Sequence, residues 1–296
     1  MKIKILFLKC IAKLLGALPV GLRSLLGKCL GFLFSFIPTR DRAVAKLQLR
    51  AFLGKERSFF TLPRAYASVV QTLMEALNLA PMIKHAERYI SSPDQEFIES
   101  LVSRKKCVVT LSAHTGNWEL MAAYMIKLGA PLSTVARVAK NAAFHNLLAD
   151  LRSAYGIRTL WRSDTEGSKV IVKEMQAQRV VAALIDQDTH VSSVFSPFFG
   201  HPAKSPSGLV ALAQRYEAII VTAFVFRTGF NRYEFHVEEI DNTLSIQEII
   251  DEYNRRLEHY IRRYPDQWVW FHRRWRSTED GQRMSGAAYL EYLSSL

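Results

Sequence analysis

The chain has 296 residues, 49% of them apolar, so it can bury a substantial core; it is long for one compact domain and short for two. Its 39 Lys and Arg against 27 Asp and Glu give a net charge of +12, and residues 1–50 hold ten of those cations against Asp41 alone, so +9 of the excess lies in that one segment. Cys10, Cys29 and Cys107 have neither paired nor metal-ligand spacing, which argues against a disulfide framework or a zinc site and puts the body on the reducing side of a membrane.

The basic segment is also the most apolar. "MKIKILFLKCIAKLLGALPV" and "GLRSLLGKCLGFLFSFIP" are rich in Leu, Ile and Phe but broken by Lys9, Lys13, Arg23 and Lys28. A spanning helix needs about 20 nearly charge-free residues, and no such window occurs. On a helical wheel Lys2, Lys9 and Lys13 share one arc opposite most of the Leu and Phe, with Lys4 off it. The pattern predicts a basic amphipathic helix lying in a membrane interface and drawn to an anionic membrane surface. A cleaved signal peptide needs a longer apolar run and a small-residue cleavage site. A nucleic-acid face needs stacking aromatics between the charges. Packing on the chain's own domain is the third alternative. Residues 1–40 are therefore expected to form a membrane-anchoring segment and 41–296 the catalytic domain, with "IPTRDR" at 37–42 as the nearest thing to a hinge.

Beyond it, "FFTLPRAYASVVQTLMEALNLAPMIK" predicts a helix that stops near Pro81. "KCVVTLSA" at 106–113 predicts a strand and "NWELMAAYMIKLG" at 117–129 a helix ending at Gly129. Strand and helix patterns then alternate: "LSTVARV", "AAFHNLLADLRSAYG", "IRTLW", "EGSKVIVKEMQAQ", "RVVAALID", "SPSGLVALAQRYE" and "AIIVTAFVFR". An added strand "YEFHVEEI" and the helix "SIQEIIDEYNRRLEHYIRRY" follow. This spacing suits βαβ crossovers, so the expected fold is α/β, a central mostly parallel sheet flanked by helices.

In "TLSAHTGNWEL", His114 stands just past the carboxyl end of a predicted strand, where open α/β sheets place ligands. Glu119 falls in the first turn of the next helix, and Gly116 permits a tight turn that would bring it back toward His114. The backbone N–H groups near Gly116, Asn117 and Trp118 favour developing negative charge. A carboxylate on one imidazole nitrogen fixes the tautomer, leaving the other nitrogen to take a proton from an alcohol; no protein nucleophile is needed if the substrate brings its own hydroxyl. Cys107 lies inside an apolar strand and reads as a buried thiol. The same spacing also suits plain strand-turn-helix punctuation. Asp186 and Asp188 close another core strand, and a loop with exposed-looking Phe195, Phe198 and Phe199 follows. "YPDQWVWFHRRWRS" at 264–277 stacks aromatic and cationic residues.

"HTGNWEL", "DQD" at 186–188, "FFG" at 198–200, "SPSG" at 205–208 and "PDQWVWFHRRW" together resemble the late acyltransferases of lipid A biosynthesis, the lauroyl and myristoyl acyltransferases, within the wider lysophospholipid acyltransferases; the resemblance runs over residues 40–277. It implies transfer of an acyl chain from an acyl carrier protein thioester to a hydroxyl of a sugar-linked lipid, at the cytoplasmic face of the inner membrane. It implies His114 as general base, Glu119 as its partner, and Arg152 and Asp186 as further catalytic positions, with Arg137 competing with Arg152 for that match. Asn117, Arg137, Phe198 and Phe199 are the expected substrate contacts, the phenylalanines lining an acyl slot. No metal or redox cofactor and no nucleic-acid partner is implied. Thr189 and His190 stand where relatives often carry a small residue, and Ser replaces Thr in the usual Thr-Pro-Thr-Gly-like segment; both bear on acceptor and acyl length.

Three rivals remain at this level. The acceptor could be a lysophospholipid or another glycolipid, with an acyl-CoA donor. His114, Glu119, Asp186, Asp188 and His190 could ligate a metal for hydrolysis, although their spacing is not a standard ligand set. The chain could also bind lipid without catalysis. His190, His201 and His272 read as surface or structural, Asp188 as a solvated carboxylate, and the arginines beside His272 as contacts to lipid phosphate.

Overall fold

The structure, a computed structural model, describes residues 2–104, 106–139, 141–162 and 167–296. Met1 and Glu166 lie outside the described residues. So do the side chains of residues 2–8, and with them the Lys2 part of the predicted basic arc. In chain order come α1 (Lys2–Gly16), α2 (Val20–Phe34), α3 (Arg40–Leu53), α4 (Lys55–Ala76), α5 (Ala80–Lys84), α6 (Ala86–Tyr89), β1 (Ile90–Ser91), α7 (Gln95–Ser103), β2 (Val108–Ser112), α8 (Trp118–Lys127) and β3 (Leu132–Arg137). The second half holds α9 (Ala142–Ala154), β4 (Arg158–Arg162), α10 (Gly167–Gln176), β5 (Val180–Leu184), β6 (Ser193–Phe198), β7 (His201–Pro206), α11 (Gly208–Arg215), β8 (Ile219–Gly229), β9 (Arg232–Ile240), α12 (Ile246–Arg263) and α13 (Gly286–Ser295).

The β-branched, apolar runs form the sheet because they can be buried on both faces. Its order is β1-β9-β8-β2-β5-β3-β4, parallel except where β8 and β9 make an antiparallel pair. Alternation in β8 sends Ile220, Phe224 and Phe226 into a core shared with α3, α11 and α12, and Val221, Ala223 and Val225 into the opposite core with α7 and α8. The α/β fold with a mostly parallel sheet is as the sequence predicts.

Three local readings change. "SVFSPF" and "HPAKSP" pair as an antiparallel ribbon, β6 with β7, instead of forming a loop. Within the segment at 37–42, residues 37–39 are a non-helical link and α3 starts at Arg40, with Thr39 Oγ1 accepting from the Arg42 N–H at 3.1 Å. Arg23 is fully buried: it donates to the carbonyls of Gly16 at 2.7 Å and Asn78 at 2.5 Å, tying the end of α1 to the loop after α4.

α2 lies antiparallel on α4, at a distance only glycine permits. A Cβ on Gly31 would meet the Tyr66 carbonyl oxygen at 2.5 Å, and one on Gly27 would meet the Gln71 Cα at 2.8 Å. This brings the end of α2 beside the start of α4, where Leu33, Phe36, Phe59 and Phe60 are 60%, 61%, 75% and 64% exposed. Among the described residues, no helix is long and apolar enough to cross a membrane.

Candidate active site

β2 and β5 run parallel with Ser112 opposite Leu184, so the residues two positions past each strand emerge side by side. Those residues are His114 and Asp186. His114 Nδ1 lies 2.8 Å from Asp186 Oδ1, and the His114 backbone N–H donates to Asp186 Oδ2 at 3.0 Å. The Trp268 indole N–H donates to the same oxygen at 2.9 Å. Asp186 is 1% exposed, and burial alone would push its carboxyl up; the adjacent His114 charge and these hydrogen bonds outweigh that and hold it at about 2. An ionised carboxylate can only accept, so Nδ1 carries the proton and Nε2 keeps a lone pair. The Trp118 ring packs edge-on against the imidazole, with centroids 5.2 Å apart.

The turn between β2 and α8 is held from below. Gly116 has φ +48°, and a Cβ there would meet the Val225 carbonyl oxygen at 2.2 Å, so this position admits no side chain. Its N–H donates to the Gln267 carbonyl at 2.9 Å, and its carbonyl accepts from Thr72 Oγ1 at 2.5 Å. Asn117, expected to contact substrate, is buried: its side-chain oxygen caps α8 through the Leu120 N–H at 2.9 Å, and its amide donates to Glu75 Oε2 at 2.7 Å. Glu75 is itself fully buried and also accepts from Ser24, Gln71 and Arg227. Burial would push its carboxyl up, but the Arg227 charge and these bonds keep it below its ordinary value.

Glu119 does not reach His114. α8 starts at Trp118, so the Glu119 side chain leaves from the first turn of a helix and meets α9, where Arg152 binds it with Nε at 2.9 Å and Nη2 at 2.6 Å. The pair is about nine-tenths buried, with exposures of 11% and 10%, and its fork geometry uses both carboxylate oxygens. Arg152 Nη1 remains buried without a hydrogen-bond partner among the described residues.

His114, Glu119, Arg137 and Arg152 all line one cavity of about 1460 Å³, whose apolar wall includes Leu73, Met121, Met125, Leu148 and Phe235. This exceeds the roughly 300–1,000 Å³ of ordinary small-ligand sites. Arg137, at the end of β3, is exposed on its rim. Phe198 and Phe199 do not line it: both are buried in the core against Trp275, and Phe198 also against Trp268, because the β6–β7 ribbon turns them inward. Asp188 is not solvated either; it is 1% exposed and accepts from the Ser277 N–H at 2.8 Å and the Ser277 hydroxyl at 3.1 Å. Arg274, one of the arginines read as facing lipid, is buried and donates to the Lys204 carbonyl and the Ser205 hydroxyl. His272 lines the cavity, and burial lowers its imidazole to about 4, so it is neutral near pH 7.

With Asp186 held by His114 and Trp268, Glu119 by Arg152 and Asp188 by Ser277, the carboxylates of the conceivable metal set each serve another partner. Burial pushes the Cys107 thiol up to about 11, which leaves no thiolate for nucleophilic attack. The sequence pattern alone does not mark Trp268, Glu75 or Thr72 as site residues. The only signal for Trp268 is the aromatic density of "PDQWVWF", and nothing in the pattern marks a glutamate and a threonine in a helix 40 residues upstream as supports of the turn.

The family model described as bacterial lipid A biosynthesis acyltransferase matches residues 3–277. The chain is also 22% identical over 158 residues to phosphatidylinositol mannoside acyltransferase of Mycobacterium tuberculosis, which is 53% of this chain and 49% of that protein. It is 23% identical over 151 residues to the Mycolicibacterium smegmatis protein of the same name, 50% of this chain and 49% of that one. The chain thus spans about half the length of the curated relatives it matches.

Proposed function

This chain belongs to the bacterial lipid A biosynthesis acyltransferase family, and from that premise we propose that it transfers a fatty acyl chain from a thioester to a hydroxyl of a glycolipid. The observation that carries the reading is the 2.8 Å His114–Asp186 pair at the polar end of a cavity whose wall is largely apolar. His114 Nε2 takes the proton of the acceptor hydroxyl as its oxygen attacks the thioester carbonyl carbon. The new C–O bond forms, the tetrahedral intermediate collapses with cleavage of C–S, and the thiolate recovers the proton from His114. Asp186 holds the tautomer and stabilises the imidazolium. Arg152 Nη1, a buried donor with Glu119 fixing the rest of the guanidinium, is the group we assign to the oxyanion.

The finer assignment is an acyl carrier protein as donor and a lipid A precursor as acceptor, at the cytoplasmic face of the inner membrane. The basic balance of the chain supports an acidic carrier, and the exposed Leu33, Phe36, Phe59 and Phe60 beside a cationic N-terminal segment support docking of residues 1–40 on an anionic membrane surface. A second acceptor reading, a phosphatidylinositol mannoside-like glycolipid, is favoured by the names of the relatives above. Purified protein is incubated with acyl-carrier-protein or acyl-CoA of one chain length and each glycolipid in anionic micelles, and products are weighed by mass spectrometry. The reading expects acylated glycolipid from the carrier thioester, lost on the order of 10² to 10⁴-fold in His114→Ala. Free fatty acid as the sole product, or full turnover by folded His114→Ala, contradicts it.

A further inference from the structure

The C-terminal wall of the cavity carries positive charge that the reaction scheme does not use. Arg276, Arg283, His190 and His272 line it together with Thr189. Arg283 donates to His190 and, at 3.2 Å, to the Asp188 carbonyl, and stands 3.7 Å from the Asp188 carboxylate. That carboxylate is already committed to Ser277. Arg276 spends its Nε on the Met284 carbonyl at 2.6 Å, and neither it nor Arg273 forms an ion pair among the described residues. Burial lowers Arg276, and the neighbouring Arg283 and Arg273 charges lower it further, with only Asp188 opposing. Arg276 and Arg283 thus share one carboxylate, that of Asp188.

The same wall holds unsatisfied groups. Arg283 Nε, His272 Nδ1 and Thr189 Oγ1 are buried without hydrogen-bond partners among the described residues, and His272 is neutral, so it can donate without adding charge. Buried donors left unpaired cost free energy, and a cavity of this size leaves room for a second chemical group beyond the acyl chain. Guanidinium forks with additional N–H and O–H donors match the oxygens of a tetrahedral oxyanion better than those of a neutral sugar.

We propose that Arg276 and Arg283, with His272 and Thr189, form a phosphate-binding subsite that seats a phosphate ester of one of the two substrates. The inference rests on the acyl-transfer reading for the identity of those substrates, though not for the anion chemistry. The phosphate can belong to the acceptor headgroup or to the phosphopantetheine arm of the thioester donor, and the two sources share this recognition.

The test uses ³¹P NMR titrations of the full chain in micelles with inorganic phosphate, with 4′-phosphopantetheine and with a short-chain phosphatidic acid. Arg276→Gln should weaken phosphate binding about 10- to 100-fold, the loss of one charge-assisted contact. Arg276→Lys, which also lacks the Met284 bond but keeps the charge, should retain most of the affinity. Of the two organic probes, the one whose affinity falls in Arg276→Gln identifies the source, and a fall in both assigns the subsite to phosphate from either. His114→Ala should bind phosphate as the wild type does, so a failed catalytic assignment leaves this result readable. Wild-type protein that does not bind phosphate, Arg276→Gln that binds it equally well, or equal losses in the Lys and Gln variants would overturn the subsite.

Discussion

On one side of the crevice, His114 and Asp186 hang from the ends of β2 and β5; on the other, Glu119 and Arg152 face each other from α8 and α9. Both pair a carboxylate with a nitrogen-bearing side chain at low exposure, yet they are built differently. The strand pair is fixed by sheet register and a third donor, Trp268, and leaves one imidazole nitrogen with a lone pair. The helix pair is a closed fork that satisfies both carboxylate oxygens and leaves the Arg152 Nη1 group over as a donor. Two carboxylate–nitrogen pairs thus present opposite chemistry to the cavity, a proton acceptor and a fixed donor.

The largest effect expected from breaking this contrast is on the strand side. Asp186→Asn keeps the shape but turns an obligate acceptor into a group that can donate, which allows the wrong imidazole tautomer. Its kcat should fall on the order of 10² to 10⁴-fold with KM little changed, measured as thioester consumption under saturating glycolipid. A fall confined to KM would place Asp186 in binding instead.

On the helix side, Glu119→Gln should cost less, about 10- to 100-fold in kcat, because Arg152 survives but is no longer held in place. Glu119→Asp should recover part of the loss, since charge and one oxygen contact persist. If Glu119→Gln instead matched Asp186→Asn in depth and Glu119→Asp recovered nothing, the two sides would have to be treated as one unit.

The smallest effect is on stability. Asp186 lies at about 2 in the folded chain against an ordinary 3.8. A carboxyl depressed on folding stabilises the native state above its unfolded value and loses that contribution as pH falls through its folded value. The unfolding free energy of wild type minus that of Asp186→Asn should therefore shrink by about 2 kcal/mol between about pH 5 and pH 2, followed by denaturant titration. A difference independent of pH would mean that His114 does not hold the carboxylate in the charged form.

The same contrast explains what the sequence discloses. The strands β2, β3, β4, β5 and β8 lie close to their predicted positions, since an apolar β-branched run has few other uses, and His114 and Asp186 are recognisable as strand-end residues. Their partnership is not, because it depends on which strands are neighbours and in what register, across 72 residues of chain. Glu119, five residues from His114, is closer only along the sequence. The β6–β7 ribbon is hidden by Pro197, Pro202 and Pro206, which read as loop, and that hid the inward turn of Phe198 and Phe199. Arg23 and Arg274 look like solvent charges until the carbonyls that receive them are brought together by tertiary packing.

The central claim, that Asp186 and not Glu119 sets the protonation of His114, is tested most directly by the ¹⁵N chemical shifts of the His114 ring in wild type, Asp186→Asn and Glu119→Gln at neutral pH. The account predicts a protonated Nδ1 in the wild type, the same pattern in Glu119→Gln, and its loss in Asp186→Asn. A ring unchanged by Asp186→Asn but altered by Glu119→Gln would contradict it.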